Sequence, residues 1–297
     1  MTGSVDVTFL GHFAKDLIVV RGARSASSGG AVYYGPMALA RLGMKVAVIT
    51  RLAGEDFGRL DELRDAGIEV FATDSGVTSG IENTYTTEDM DRRTCRPMGF
   101  AGPFGPEEIP ELATRAFILA PIIAGEVDLA LLEGISRRHP GHVALDVQGF
   151  VRVRKGDSLV HVDWPDKTEG LKHVTFIKLD HAEAEVLTGE TDIYRAVRMV
   201  AAWGPREVVL THAAGVLVHA SGQDHEASWR ARRLDGRTGR GDTCFAAYCA
   251  RRLIEDPERA CRYAAALTSL KMENPGPFAG SAADVEGLIE KMMVPTR

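Results

Sequence analysis

Residues 238–243 read Thr-Gly-Arg-Gly-Asp-Thr. Past them, Phe245, Tyr248, Cys249 and Leu253 recur at helical spacing, so a glycine turn feeds a helix. Such a junction presents unpaired N–H groups at the positive end of the helix dipole and is a place for an anion. Asp242 falls at the helix start, where an acid serves equally well as a capping or first-turn residue. The stretch alone leaves cap and anion site both open. It is not a Walker A loop, because no Gly-Lys-Ser/Thr follows the turn. It is a poor dinucleotide fingerprint, since the glycine spacing is wrong and it comes late in the chain. Arg240-Gly-Asp242 also spells the integrin-recognition tripeptide; the start, Met1-Thr-Gly-Ser-Val-Asp6, lacks the regions of a signal peptide, and adhesion is set aside.

The elements that must hold this turn follow from the hydrophobic pattern. Val5–Leu10, Lys45–Thr50, Ile68–Phe71, Phe117–Leu119, Val143–Asp146, Thr175–Lys178 and Glu207–Thr211 read as buried strands. Between them lie helical stretches at Pro36–Leu42, Phe57–Ala66, 126–138, 181–188 and 192–202, with Gly43 and Gly67 as stops. This alternation predicts right-handed βαβ units and a mostly parallel sheet covered on both faces. A β-prone run at Glu226–Arg232 precedes the turn, and helices over 242–256, 257–273 and 281–293 follow it. Residues 12–32 and 77–103 break the rhythm with Thr, Ser, Gly and charge, and the rhythm resumes after each. They are expected to build a small β lid on one domain spanning 1–297. The 297 residues, 45% hydrophobic and 26% charged, are those of an ordinary globular protein. A net charge of −6 without a basic block argues against nucleic-acid and anionic-membrane surfaces. No apolar run reaches the roughly 20 residues of a membrane span. The four cysteines, Cys95, Cys244, Cys249 and Cys261, form no C-x-x-C pair, so neither zinc site nor disulfide framework is indicated, and a cytoplasmic location is expected.

Gly11–Asp16, Gly29-Gly30 with Ala38–Gly43, Gly54–Gly58, Asp180–Gly189 and Thr238–Thr243, five stretches in this order, together resemble the PfkB (ribokinase-like) family of small-molecule kinases. Thr238-Gly-Arg-Gly-Asp-Thr243 is similar to its C-terminal D-T-x-G-A-G-D signature, and Gly11-His-Phe-Ala-Lys-Asp16 to its first strand and substrate aspartate. Gly29-Gly30 with Ala38–Gly43 resembles the N-terminal double-glycine signature, Gly54–Gly58 the G-x-D-x-x-G that follows, and Asp180–Gly189 the N-x-x-E stretch. The resemblance implies a three-layer α/β sandwich with a lid. It also implies transfer of the γ-phosphate of ATP to a hydroxyl of a sugar or sugar alcohol. A nucleoside kinase, or a catalytically silent relative that binds sugar or nucleotide, is the alternative. It makes Asp242 the general base and the N–H groups of Gly239, Arg240 and Gly241 an anion hole. Asp16, Gly29, Gly30, Tyr34 and Arg93 would bind substrate; Thr211, Gly215, Thr238 and Asn274 would bind nucleotide. Asp180 and Glu183 would hold Mg²⁺ through water. Two further implications are a homodimer through the lid and a monovalent cation such as K⁺ near Asn274-Pro-Gly276.

The departures from the family pattern are specific. Its first aspartate aligns to Gly236, with Asp235 displaced by one position. Arg240 replaces an alanine, Asp180 an asparagine, and Thr211-His-Ala-Ala-Gly215 is a shortened nucleotide loop. Tyr34 stands where ribokinases carry a sugar-binding asparagine. With Tyr33-Tyr34 and Asp146–Arg152, this resembles the inositol-kinase-like and uncharacterised sugar-kinase branch.

Overall fold

The computed structural model describes residues 4–20, 22–85 and 93–293. The chain opens with β1 (Ser4–Leu10), β2 (Ala14–Val20), β3 (Ala23–Gly29), α1 (Ala31–Arg41) and β4 (Val46–Leu52). A 3₁₀ turn at Gly54–Leu60, α2 (Asp61–Asp65), β5 (Glu69–Asp74), β6 (Gly80–Tyr85), β7 (Arg93–Gly99) and β8 (Ala113–Leu119) follow. The middle of the chain holds α3 (Leu129–Arg138), β9 (His142–Asp146), α4 (Gln148–Val151), β10 (Arg152–Lys155), β11 (Ser158–His161) and α5 (Lys167–Gly170). Then come β12 (Phe176–Asp180), α6 (His181–Thr188), α7 (Ile193–Ala202), β13 (Glu207–Thr211), β14 (Gly215–Ala220) and β15 (Gln223–Ser228). Three helices close the chain: α8 (Arg240–Arg251), α9 (Pro257–Met272) and α10 (Ala282–Met293).

Among the described residues, nine strands form one sheet in the order β15-β14-β13-β12-β9-β8-β1-β4-β5. Seven neighbours from β13 to β5 run parallel, and β14 and β15 add an antiparallel edge. The strands alternate their buried side chains between two cores, as the two-residue period of a strand requires. Val7 and Phe9 of β1, Phe176 of β12 and Val209 of β13 join one core with residues of α1, α8, α9 and α10. Leu10, Ile177, Leu179, Val208 and Leu210 join the other with residues of α3, α6 and α7. This is the three-layer α/β arrangement that the alternation implies. The strands β2, β3, β6 and β7 form a separate four-stranded sheet, ordered β3-β2-β6-β7.

Several boundaries differ from expectation for local reasons. The first helix begins at Ala31, with Pro36 inside it, because Gly30 at φ 86° ends β3 and turns the chain directly into the helix. The helix expected over 57–66 is split: residues 57–60 end a 3₁₀ turn, and only Asp61–Asp65 are α-helical. The helix expected over 126–138 starts at Leu129, capped by the Asp128 carboxylate on the Leu131 N–H. The β-prone run at 226–232 is the end of a hairpin, β14–β15, and β14 was not anticipated. The antiparallel hairpin β10–β11 was likewise unforeseen. Of the expected strand piece Thr84–Thr87, Glu88 onward aside, residues 86 and 87 lie outside the described residues.

Candidate active site

Parallel strands place the residues following their carboxyl ends at one edge of the sheet, where ligands of such folds bind. A cavity of about 360 Å³ opens there. The ends of β12 and β13, α4 with the residue after it, and the 237–242 turn contribute Gln148, Arg152, Lys178, Asp180, Thr211 and Asp242. The smaller sheet contributes Ala14, Asp16, Ile81 and Asn83.

The glycine turn is built by close contacts. Gly239 is the N-cap of α8 at φ 78°, and a Cβ there would stand 2.2 Å from the Tyr34 ring. Gly241 leaves room for Lys178, whose Cε would be 3.3 Å from a Cβ. At Gly236 a Cβ would be 1.7 Å from the Asn274 carbonyl oxygen, so this departure from the family's aspartate is a steric requirement here. The Lys271 ammonium donates to the carbonyl of Gly236 at 2.6 Å and to that of Thr238. Asp242 is a first-turn acid of α8 rather than its cap: Gly239 is the N-cap, and no side chain makes a capping bond. One amide differs from expectation as well. The Arg240 N–H donates to the Arg237 carbonyl at 3.1 Å, and so is spent within the turn. The N–H groups of Gly239, Gly241 and Asp242 have no main-chain acceptor among the described residues.

Charge is concentrated around the floor. Lys178, 4% exposed, places Nζ 3.1 Å from Asp146 and 3.4 Å from Glu183. Register explains the first pair, because Lys178 and Asp146 are direct partners on adjacent parallel strands. Burial alone would lower the Lys178 pKa, but Asp146, Glu183, Asp180 and Asp242 together hold it above the ordinary value. Burial pushes the Asp242 carboxyl up; the charges of Lys178, Arg152 and Lys271 oppose the shift and Asp16 adds to it. Asp180 is held down despite burial, chiefly by Lys178 and by the Glu183 N–H.

Asp180 and Glu183 are joined at the start of α6. They form a reciprocal capping box at α6: Asp180 accepts the Glu183 N–H at 2.9 Å, and Glu183 accepts the Asp180 N–H at 2.7 Å. Only Asp180 lines the cavity. No group of three His, Cys, Asp or Glu suited to caging a metal exists among the described residues. A Mg²⁺ that keeps most of its waters needs one or two carboxylates plus the donor's phosphates. Asp180 fits that requirement; Glu183 is fully buried, its Oε2 accepts the Asp180 N–H, and its Oε1 has no hydrogen-bond partner among the described residues.

On the opposite wall Asp16, 8% exposed, accepts the Ile81 N–H at 2.9 Å and thereby ties β2 to β6. Gly29 is needed beside it, since a Cβ would lie 2.4 Å from Asp16 Oδ2. Gly30 is needed for its positive φ and for the His12 carbonyl, 2.8 Å from a Cβ. Behind this wall the fully buried Glu126 accepts N–H groups from His12, Ile122 and Ile123 at 2.8–3.0 Å.

The cavity therefore brings together Asp16, Gly30, Tyr34, Asp180, Thr211, Thr238, Gly239, Arg240, Gly241 and Asp242. Gly215 does not line it; that residue opens β14, where a Cβ would strike the Ala227 carbonyl at 2.4 Å. Asn274 does not line it either, and packs its carbonyl against Gly236. Arg93 opens β7, but its side chain lies outside the described residues. Sequence reasoning missed Lys178, Arg237, Lys271, Arg152 and Asn83. For Lys178 there was a signal: a lysine inside Phe176-Ile-Lys-Leu179 has no reason to be in an apolar strand unless it meets a buried acid.

No family model matches the chain. Among solved structures, a pyrophosphate-dependent kinase in the ribokinase family, complexed with a pyrophosphate analog and myo-inositol, is 37% identical. It matches at a TM-score of 0.87, over 95% of this chain and 99% of its own. Arabidopsis thaliana ribokinase, complexed with ribose and ATP, matches at 0.79 over 97% of this chain and 99% of its own. At 18% identity that likeness shows the fold. A cytidine kinase of Thermococcus kodakarensis is 28% identical over 228 residues, which are 72% of this chain and 76% of that protein.

Proposed function

The chain belongs to the ribokinase family of carbohydrate kinases, and on that premise we propose that it phosphorylates a hydroxyl of a small polyol, myo-inositol first among candidates, from pyrophosphate. The observation that carries the reading is a single cavity holding a raised carboxyl, uncommitted turn amides and four cationic side chains. Asp242 takes the proton of the attacking hydroxyl as the new O–P bond forms. The bond from that phosphorus to the bridging oxygen breaks, and orthophosphate leaves with the bridging oxygen. A carboxyl raised by burial is a better base than a solvated one, and the amides of Gly239 and Gly241 meet charge developing on the phosphoryl oxygens. Mg²⁺ would neutralise donor charge, with Asp180 holding its water shell. The smaller sheet acts as the lid, offering Asp16 and Asn83 to the hydroxyls of the acceptor.

ATP is the donor that the sequence resemblance implies, and two observations favour pyrophosphate over it. Arg152, Lys178, Arg237 and Arg240 surround a short space and suit a compact, highly charged donor. The turn after β13 is also closed on itself: His212 donates its N–H to Gly215, and Trp229 donates to the Ala214 and His212 carbonyls. The Arg240 guanidinium lies 5.8 Å above the Trp229 ring, so side chains occupy the approach to that turn. The test pairs pyrophosphate or ATP with myo-inositol, ribose or cytidine and follows phosphorylated product by ³¹P NMR. Product is expected from pyrophosphate and myo-inositol, with Asp242→Asn at least ~10²-fold slower. Turnover with ATP alone would overturn the donor, and preference for ribose or cytidine the acceptor. Equal rates in mutant and wild type would remove Asp242 from its role. Acceptor binding with no turnover under any pairing would make the chain the silent relative.

A further inference from the structure

Lys271 is the largest charged side chain in the core that the reaction above does not use. It stands near the end of α9 at 2% exposure. Its Nζ donates to the main-chain carbonyls of Gly236 and Thr238 and lies 4.9 Å from the centroid of the Tyr34 ring. Asp242 on α8 is the acid whose charge reaches it. A buried ammonium held mainly by carbonyls and a ring is costly to keep, so a purely structural filler would be better served by methionine.

Peptide geometry shows what the ammonium does. The chain has no cis peptide among its described residues, and in a trans peptide the C=O and N–H point in opposite directions. The Thr238 carbonyl and the Gly239 N–H belong to one such plane. Drawing that oxygen toward Lys271 turns the Gly239 N–H the other way, and Gly239 lines the cavity. A cation on the carbonyl also polarises the amide, making the N–H a stronger donor. Tyr34, packed on Gly239 and beside the ammonium, keeps the plane from rotating back.

We propose that Lys271 is a positioning residue, a tethered cation that orients and polarises the anion-binding amide of the glycine turn, so that the enzyme needs no free monovalent cation. The inference rests on the phosphoryl-transfer reading. Lys271 stands in place of the expected K⁺ site near Asn274: an ammonium of the protein's own already binds the carbonyls of the adjoining turn.

The experiment compares wild type with Lys271→Met in tetramethylammonium, potassium and ammonium chloride. Turnover is measured with pyrophosphate and with ATP, donor affinity by calorimetry without acceptor, and folding by melting temperature. Wild type is expected to behave alike in all three salts. The variant should lose roughly 10²-fold in kcat with little change in acceptor KM, as when one oxyanion donor is removed. Potassium or ammonium ions, which fit the vacated ammonium position, should restore part of the loss, and tetramethylammonium none. Stimulation of wild type by potassium or ammonium would overturn the proposal, as would wild-type kcat in the variant. A loss that no cation restores, matched by a lowered melting temperature, would make Lys271 structural and overturn it too. If Lys271→Met does not fold, Lys271→Gln, which keeps one donor, and the wild-type salt comparison decide the matter. If wild type turns over no donor, the functional reading fails by itself; cation-dependent donor affinity in the variant then still supports the role of Lys271, and its absence overturns it.

Discussion

Burial lowers the Lys271 pKa from 10.5 to about 8, with the Asp242 charge opposing the shift. Between those values the unfolded chain holds more protons at this position than the folded one, so its contribution to stability rises with pH across that window. Activity runs the other way. Deprotonation above about pH 8 removes the cation from the Gly236 and Thr238 carbonyls, whereas the neighbouring Tyr34 ring cannot replace it. The kcat profile is therefore expected to fall above about pH 8 while the melting temperature does not fall with it on this group's account. A kcat that stays level to pH 10 in a folded enzyme would contradict this. At the same scale, four glycines are fixed by what a Cβ would strike: Gly29 by Asp16, Gly30 by the His12 carbonyl, Gly236 by the Asn274 carbonyl and Gly239 by Tyr34.

Elements meet the site through a few polar joints. Glu126 lies in the connection before α3, fully buried, and collects three main-chain N–H groups. One belongs to His12, between β1 and β2, where the chain passes from the large sheet to the small one; the other two belong to Ile122 and Ile123, after β8. Ile122 lines the cavity. Replacing Glu126 with alanine leaves those three donors buried without acceptors, at about 1–3 kcal/mol each. Chemical denaturation of Glu126→Ala is expected to show a loss on the order of 3–5 kcal/mol, and a change under about 1 kcal/mol would refute the joint.

The whole molecule carries a net charge of −6, yet its cavity gathers Arg152, Lys178, Arg237 and Arg240. A highly charged donor is thus attracted at short range by a molecule that repels it at long range. Screening at ~0.15 M salt reduces interactions beyond about 8 Å, and the more open arginines are affected most. Donor KM is expected to rise several-fold between ~0.05 and ~0.3 M tetramethylammonium chloride, while KM for an uncharged polyol stays level. Equal salt dependence of both constants would show that these cations do not serve the donor. Among the described residues no helix is long and apolar enough to cross a membrane.

Periodicity and glycine placement in the sequence determined the alternating strands and helices and the glycine turn ahead of α8, while Asp16, Gly30, Asp180 and Asp242 were picked out by the resemblance of short motifs. The elements and the turn are local properties, set by side-chain period and by where φ must be positive. Tertiary structure alone decided which acids work together. Asp180 and Glu183 read as a pair of acids three residues apart, and the start of α6 joins them in a reciprocal capping box. Lys178 becomes a buried partner of Asp146 only when β9 and β12 pair in register, 32 residues apart in sequence. Likewise Lys271, 33 residues beyond Thr238, reaches the glycine turn only because α9 packs on α8. Distance along the chain carries no information about such contacts. Packing creates them, and in this protein it also turned the glycine stretch from an open choice between cap and anion site into a turn with oriented amides.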